Sequence, residues 1–328
     1  MNIYLTWDYE LFLGDESGSI EDCMIRPTER LLELSSNKNF RYTFFIDATF
    51  LLRLFQLKDD FENLNDGYNA IVAQIHKMIS EGHDIQLHVH PHWLTSNYNG
   101  VKWELDYDKY KLSSFSKIEA EEILRESKFH LEKIVGYQVT SFRAGGFSLQ
   151  PFNNLQDAFK KLGIKIDSSV FSHEKYSSHY QEYDYSNIPK SSIWNFSNDP
   201  CIEDSSGCFT ELPVATKTIS PLFYWRLLVL TRVFKLNDHR TFGKGSSITS
   251  PKGEYFRKLF RRTNGLISFD GLKAAYAEKV TEDYIKQNRQ HLVVIGHPKA
   301  LSEYSLRKLT SYTNKFSRNQ NFTTFKDL

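Results

Sequence analysis

Gly82-His83-Asp84-Ile85-Gln86-Leu87-His88-Val89-His90-Pro91-His92 is the stretch from which the fold can be read. Asp84 to Leu87 alternates polar and apolar residues as a strand does, so the histidines fall where that strand runs out into a loop. Four of the chain's eleven histidines lie within these residues. Imidazole is the commonest protein ligand for a borderline divalent metal, and two histidines four apart at a turn, His88 and His92, can converge on one ion. Each histidine alone reads equally well as a surface or satisfied core residue. Three at alternate positions after an apolar strand point to a metal, which also needs a carboxylate from elsewhere.

The chain has 328 residues, 40% of them hydrophobic, enough for one sizeable α/β domain or two small ones. Net charge is +1, but its distribution is uneven. Between Ala215 and Arg262 there are eleven Lys and Arg against two acids, Asp238 and Glu254, which leaves the remainder at −8. Cys23, Cys201 and Cys208 form neither a metal-spaced pair nor a disulfide framework, so they read as inert. The apolar run Leu222–Leu236 is broken by Arg226, Arg232 and Lys235 and is too short to span a bilayer. Met1-Asn2-Ile3-Tyr4-Leu5 leads directly into the first strand without a signal-like segment. This predicts a cytoplasmic protein.

The first strand, Ile3–Trp7, ends in Asp8-Tyr9-Glu10. Residues i and i+2 of an extended chain point the same way, so Asp8 and Glu10 present two carboxylates on one side. Pro27-Thr28-Glu29 opens a helix, Tyr42–Ile46 is a strand, and Ile71, Ile75, Met78 and Ile79 mark one helix face that stops at Gly82. Ser116-Lys117-Ile118-Glu119 is a capping box for a helix running to about Val135. Strands follow at Gln138–Phe142, Ile164–Ile166, Phe209–Leu212 and Leu292–Ile295, with helices over about Asn154–Leu162 and, last, Ser302–Thr310. Alternating strands and helices imply a parallel sheet with right-handed crossovers. Asp8, Glu10, His88, His92, Arg143, Asp167 and His297 all fall just past predicted strand ends, the catalytic face of a closed parallel barrel.

These residues resemble the polysaccharide deacetylase family, also called the chitooligosaccharide deacetylase homology domain. Thr6-Trp7-Asp8-Tyr9-Glu10 is similar to its Thr-Phe-Asp-Asp motif, and Gly82-His83 with His88 and His92 to its second. Ser141-Phe142-Arg143-Ala144-Gly145-Gly146-Phe147 resembles the third, Gly163–Ser169 the fourth and Ile295-Gly296-His297-Pro298 the fifth. The resemblance covers roughly residues 1 to 300, apart from the basic segment. It implies a distorted (β/α)7 TIM-like barrel: one α/β domain over 1–328 with a basic helical insertion at about 215–280, before the last strand. It further implies removal of N- or O-acetyl groups from glycans with one divalent metal, zinc by family likeness. Two histidines and a carboxylate would also suit Co, Ni or Fe(II).

Carried across, His88 and His92 become metal ligands, Asp8 the base held by Arg143, and His297 the acid oriented by Asp167. Three departures stand out. Tyr9 replaces the usual metal-binding second Asp, so Glu10 is assigned as third ligand. Gly145 replaces the motif-three proline, and the tryptophan that often follows the fourth-motif Asp is missing.

Asp8 would take a proton from the attacking water, and the metal would lower that water's pKa and stabilise the oxyanion. Asp8 as a turn cap, Arg143 as partner of any buried acid and Asp167 as a turn residue are the structural alternatives. His90 reads as a pocket or supporting residue rather than a ligand. Trp93, with Trp103 and Tyr98, could stack on a sugar ring or simply pack the loop, and Phe147 is a further substrate candidate.

The basic segment 215–262 reads either as an insertion packed on the barrel or as a peripheral contact with an anionic membrane or a diphosphate-linked glycan, at the inner membrane face. No nucleic acid is expected. The reading is thus a metal-dependent, carbohydrate deacetylase-like hydrolase acting on an acetylated sugar or glycan intermediate. The alternatives are an amidohydrolase of the same fold acting on a small non-glycan amide, and a catalytically inactive glycan-binding protein.

Overall fold

The computed structural model describes residues 1–38, 40–172, 175–230, 237–247 and 252–328. Nine strands form the main sheet: β1 (Asn2–Tyr9), β2 (Thr43–Asp47), β3 (Asp84–Val89), β4 (Ser141–Ala144), β5 (Ile166–Asp167), β6 (Trp194–Phe196), β7 (Phe209–Glu211), β8 (His291–Gly296) and β9 (Asn321–Thr323). Their order is β6-β7-β5-β4-β3-β2-β1-β8, with β9 paired to the start of β1. Every pair is parallel except β6 with β7. The sheet curls so that Val214, just after β7, bridges both Phe171 and Val293 of β8, while Ser268 bridges Ile295. This is an α/β distorted barrel, as the motif resemblance implied, built on the parallel sheet that the alternating strands and helices predict.

Parallel strands covered on both faces lack the polar–apolar alternation of a half-exposed sheet. β2 and β3 are accordingly buried at every position, and β1 at every position after Asn2. The covering helices are α1 (Arg26–Ser36), α2 (Ala48–Leu57), α3 (Glu62–Ser80), α4 (Lys117–Val135), α5 (Gln156–Leu162), α6 (Pro221–Leu228), α7 (Lys252–Phe260), α8 (Ala277–Lys286) and α9 (Glu303–Phe316). Two local signals appear as read. The Ser116–Glu119 capping box opens α4, and Gly82 takes φ +83° to turn the chain from α3 into β3.

Several elements differ from the sequence reading. β3 extends two residues further than predicted, so His88 sits within the strand opposite Asp47 of β2. β6 and β9, each three residues long, are unannounced because so short a run carries no readable period. α9 continues to Phe316, since Leu309, Tyr312, Thr313 and Phe316 keep its buried face going.

Between β7 and β8 the chain leaves the sheet. Thr216–Ile219 and Thr263–Leu266 pair antiparallel, and α6 and α7 lie between them with a small apolar cluster of Ile219, Phe223, Tyr224, Leu259 and Leu272. Within the basic stretch, residues 231–236 and 248–251, together with the side chains of 252–255, lie outside the described residues. Among those described, no helix is long and apolar enough to cross a membrane. The three cysteines are free, and burial raises the thiol pKa of Cys23 and pushes that of Cys201 up to about 12, against reactivity.

Candidate metal centre and active site

β1 delivers its last side chains by simple alternation. Tyr9 turns outward and its hydroxyl donates to Gln74 Oε1 of α3 at 2.8 Å, while Asp8 and Glu10 turn to the other side. Glu10 Oε2 lies 3.2 Å from His88 Nε2 and 2.7 Å from His90 Nε2, and one ligand atom from each of the three residues falls within 4.8 Å of the others. All three are buried.

His88 Nδ1 lies 2.8 Å from the Arg143 carbonyl, so its Nδ1–H donates there and Nε2 is turned to Glu10. Burial disfavours a charged His88. Asp8, Glu10 and Asp47 outweigh burial and raise its pKa to about 9, so the group as it stands attracts positive charge. Burial likewise opposes the Glu10 charge, but Lys299, His90 and His88 hold its carboxyl well below the usual carboxylate range. Two imidazole nitrogens and one carboxylate oxygen, with that appetite for a cation, are a donor set that fits a borderline divalent ion.

The histidine turn differs from the sequence reading. His90, assigned to a supporting role, is the residue that meets Glu10, and His92, assigned as a ligand, lies outside the group. The cause is local. The His90 backbone N–H donates to Thr49 Oγ1 at 2.9 Å, and Thr49 Oγ1 in turn lies 2.9 Å from the His90 carbonyl. Pro91 then turns the chain into a 3-10 segment, so His92 is carried away and stacks on Tyr110 with ring centroids 5.1 Å apart. Neither His92 ring nitrogen has a hydrogen-bond partner, and burial lowers its pKa well below the ordinary imidazole value.

Gly145 belongs to the same arrangement. A Cβ there would stand 2.5 Å from His90 Nδ1 and 2.6 Å from the Val89 carbonyl oxygen, so the ring of His90 occupies the room a proline would need.

Arg143 is fully buried and fans its donors over one wall of the site. Nη1 donates to Asp8 Oδ1 at 2.6 Å and to Thr6 Oγ1 at 3.1 Å, while Nε and Nη2 reach the carbonyl and hydroxyl of Ser168, each at 3.0 Å. A buried ion pair with all these donors used is rigid, and it fixes the Asp8 carboxylate in place. His297 Nε2 lies 3.7 Å from Asp8 Oδ2 and 3.6 Å from Glu10 Oε1. Burial opposes its charge, but Asp270, Asp8 and Glu10 together raise its pKa.

The residue that orients His297 is Asp270, not Asp167 as the motif comparison implied. Asp270 Oδ2 accepts from His297 Nδ1 and Oδ1 from the His297 backbone N–H, both at 2.9 Å. Asp167 instead accepts from the backbone N–H and hydroxyl of Ser169, and burial raises its pKa. It sits in register with Glu211 of β7.

Two substrate candidates are corrected. Trp93 is fully buried and its Nε1–H donates to Asp47 at 2.7 Å, while Trp103 and Tyr98 pack against each other and are also buried, so these three pack the loop. Phe147 sits edge-on to Phe171 and its carbonyl accepts from the Tyr185 hydroxyl, away from the cavity above the site.

That cavity, about 460 Å³, is reached by Glu10, Asp270, His297 and Lys299 and walled by Tyr110, Tyr176, Tyr180 and Tyr183. The tyrosines between 176 and 185 are dense enough in sequence to have signalled an aromatic wall. Asp270 had a weaker cue, the strand-like run Ile267-Ser268-Phe269 before it. Lys299 had none: its Nζ, buried, donates to Glu10 Oε1 at 2.9 Å and also to the Leu11 carbonyl.

No protein-family model matches the chain, and no curated protein matches it in sequence. Solved structures do match. A protein assigned as a polysaccharide deacetylase from Mycobacterium smegmatis is 13% identical, with a TM-score of 0.50 over 99% of this chain and 87% of the other. The Puue allantoinase is 12% identical, with a TM-score of 0.50 over 99% and 88%. The chain thus resembles polysaccharide deacetylases in fold, and at such identities the likeness speaks to fold alone.

Proposed function

We propose that the protein is a metal-dependent hydrolase that removes an N- or O-linked acetyl group from a sugar or glycan intermediate. The observation that carries this reading is the convergence of three units under one tyrosine-walled cavity: Glu10 with His88 and His90, Arg143 with Asp8, and Asp270 with His297. Glu10, His88 and His90 would hold the ion, and His92, the ligand that the motif comparison favours, stays outside this group on Tyr110. A divalent ion, zinc by family likeness, would supply a Lewis acid for the acetyl carbonyl and lower the pKa of a water.

The chain's own residues do the rest. Asp8, immobilised by Arg143, accepts the proton of the attacking water. His297, kept protonated by Asp270, gives a proton to the departing nitrogen or oxygen. Tyr110, Tyr176, Tyr180 and Tyr183 offer ring faces and hydroxyls to a sugar.

A cytoplasmic setting, a single domain spanning 1–328 and an insertion at about 215–280 belong to the same reading. The small-amide alternative keeps every role and changes only the occupant of the cavity. It draws on the equal fold likeness to an allantoinase.

The test is metal content by plasma mass spectrometry on protein purified without chelator, followed by acetate release from N- and O-acetylated sugars. Near-stoichiometric metal and turnover that Asp8→Asn abolishes are expected. Metal-free protein that also fails to take up added zinc would overturn the hydrolase reading. Glycan binding that survives Asp8→Asn without any turnover would identify a binding protein.

A further inference from the structure

We propose that α6 and α7 dock this protein on an anionic lipid bilayer. α6 reads Pro221-Leu222-Phe223-Tyr224-Trp225-Arg226-Leu227-Leu228, apolar around nearly its whole circumference. Packing uses only part of it: Phe223 and Tyr224 are buried with Ile219, Leu259 and Leu272. The rest faces outward. Leu222 is 76% exposed, Trp225 46%, Phe256 61% and Phe260 70%, with Val229 beside them. These five are drawn from twelve large exposed hydrophobics among the described residues, which makes the two short helices the richest apolar surface described. Trp225 and Phe260 touch edge to face with centroids 6.3 Å apart, so the two helices share one patch. Such a patch on a soluble fold marks an interaction surface.

Charge selects the occupant. Arg226, Arg261 and Arg262 are exposed around these side chains. Asp238, the acid of this segment whose side chain is described, is 2.8 Å from Arg307 of α9, so it is already engaged. Outward Trp, Phe and Leu among arginines are the composition of an element lying in the headgroup layer, where apolar side chains enter the acyl boundary and cations meet anionic lipid. A nucleic acid would use the arginines and leave Leu222 and Phe256 in water. Because no described helix is long and apolar enough to cross, the contact is peripheral.

α7 stands between the patch and the candidate active site: Lys258, two residues from both Phe256 and Phe260 and so on the opposite side of the helix, lines the cavity that holds His297 and Glu10. The bilayer contact stands without the hydrolase reading.

Vesicle flotation of the full chain tests the contact, using phosphatidylcholine vesicles with and without about one third phosphatidylserine. Binding is expected with the anionic vesicles only, falling about tenfold or more when salt is raised to about 0.5 M or in Phe256→Ser/Phe260→Ser. Trp225 is the exposed tryptophan while Trp7, Trp93, Trp103 and Trp194 are buried, so a blue shift of fluorescence on binding should vanish in Trp225→Phe. Circular dichroism and metal content, read on the same samples, should be unchanged by the helix variants. No flotation with anionic vesicles, equal flotation with neutral ones, or binding indifferent to Phe256→Ser/Phe260→Ser overturns the proposal. A lipid-free dimer that those substitutions dissolve, without vesicle binding, assigns the patch to a second copy of the chain and overturns it as well. Loss of metal with vesicle binding intact would count against the hydrolase and leave the docking standing.

Discussion

Replacing His83 with glutamine should flatten the acid side of the stability curve. The His83 ring is a neutral latch between α1 and the neighbouring strands. Its Nδ1 accepts the Tyr42 backbone N–H at 3.0 Å. The Ser35 hydroxyl donates to the Leu32 carbonyl at 2.9 Å and so is left to accept from Nε2–H at 3.2 Å. A proton on Nδ1 would set donor against donor. Burial, helped by Arg41, accordingly pushes the pKa from 6.5 down to about 3. A histidine depressed in the folded state stabilises above its unfolded pKa and loses that contribution as pH falls toward the folded one. With those two values, His83 alone should remove about 2 kcal/mol between pH 7 and pH 5, and about 3 kcal/mol by pH 4. Urea unfolding of wild type and His83→Gln at pH 7, 6, 5 and 4 measures this, with m compared to confirm that both unfold alike. His130, depressed to about 4 by burial and Lys133, contributes equally to both proteins and cancels in the difference. The glutamine protein should be less stable at pH 7 and close the gap by the stated amounts as pH falls. Parallel curves from pH 7 to pH 4 would refute the reasoning.

Three further outcomes follow from the site. His90→Ala and His88→Ala should each lose bound metal, whereas His92→Phe, which keeps the stack on Tyr110, should retain it; plasma mass spectrometry on the purified variants decides. Lys299→Met should tighten divalent-ion binding by about tenfold or more in chelator competition, because it removes a cation 2.9 Å from the carboxylate that the ion must share; weaker binding would mean that Lys299 serves to orient Glu10. Asp270→Asn should lower kcat by about a hundredfold with little change in KM, since the proton donor loses its orienting partner but the cavity keeps its walls; an effect confined to KM would refute that role.

The sequence by itself carried the parts that depend on local geometry. Alternation along β1 separates Asp8 and Glu10 from Tyr9, so two carboxylates on one side are legible from period 2 alone. The Ser116 capping box and Gly82 are equally local, and the succession of strands and helices suffices for a parallel sheet because crossover handedness leaves few other topologies. Tertiary structure alone decided which partners meet across the barrel. His90 rather than His92 faces Glu10 because Thr49, more than forty residues earlier in the chain, holds the turn, and Gly145 leaves room for the ring. Asp270 rather than Asp167 serves His297 because the stretch around Ser268 returns beside β8, a pairing that no spacing announces. Lys299 reaches Glu10 across 289 residues of sequence. Periodicity tells which face of an element a side chain occupies. Which distant side chain shares that face is decided only when the sheet curls and packs.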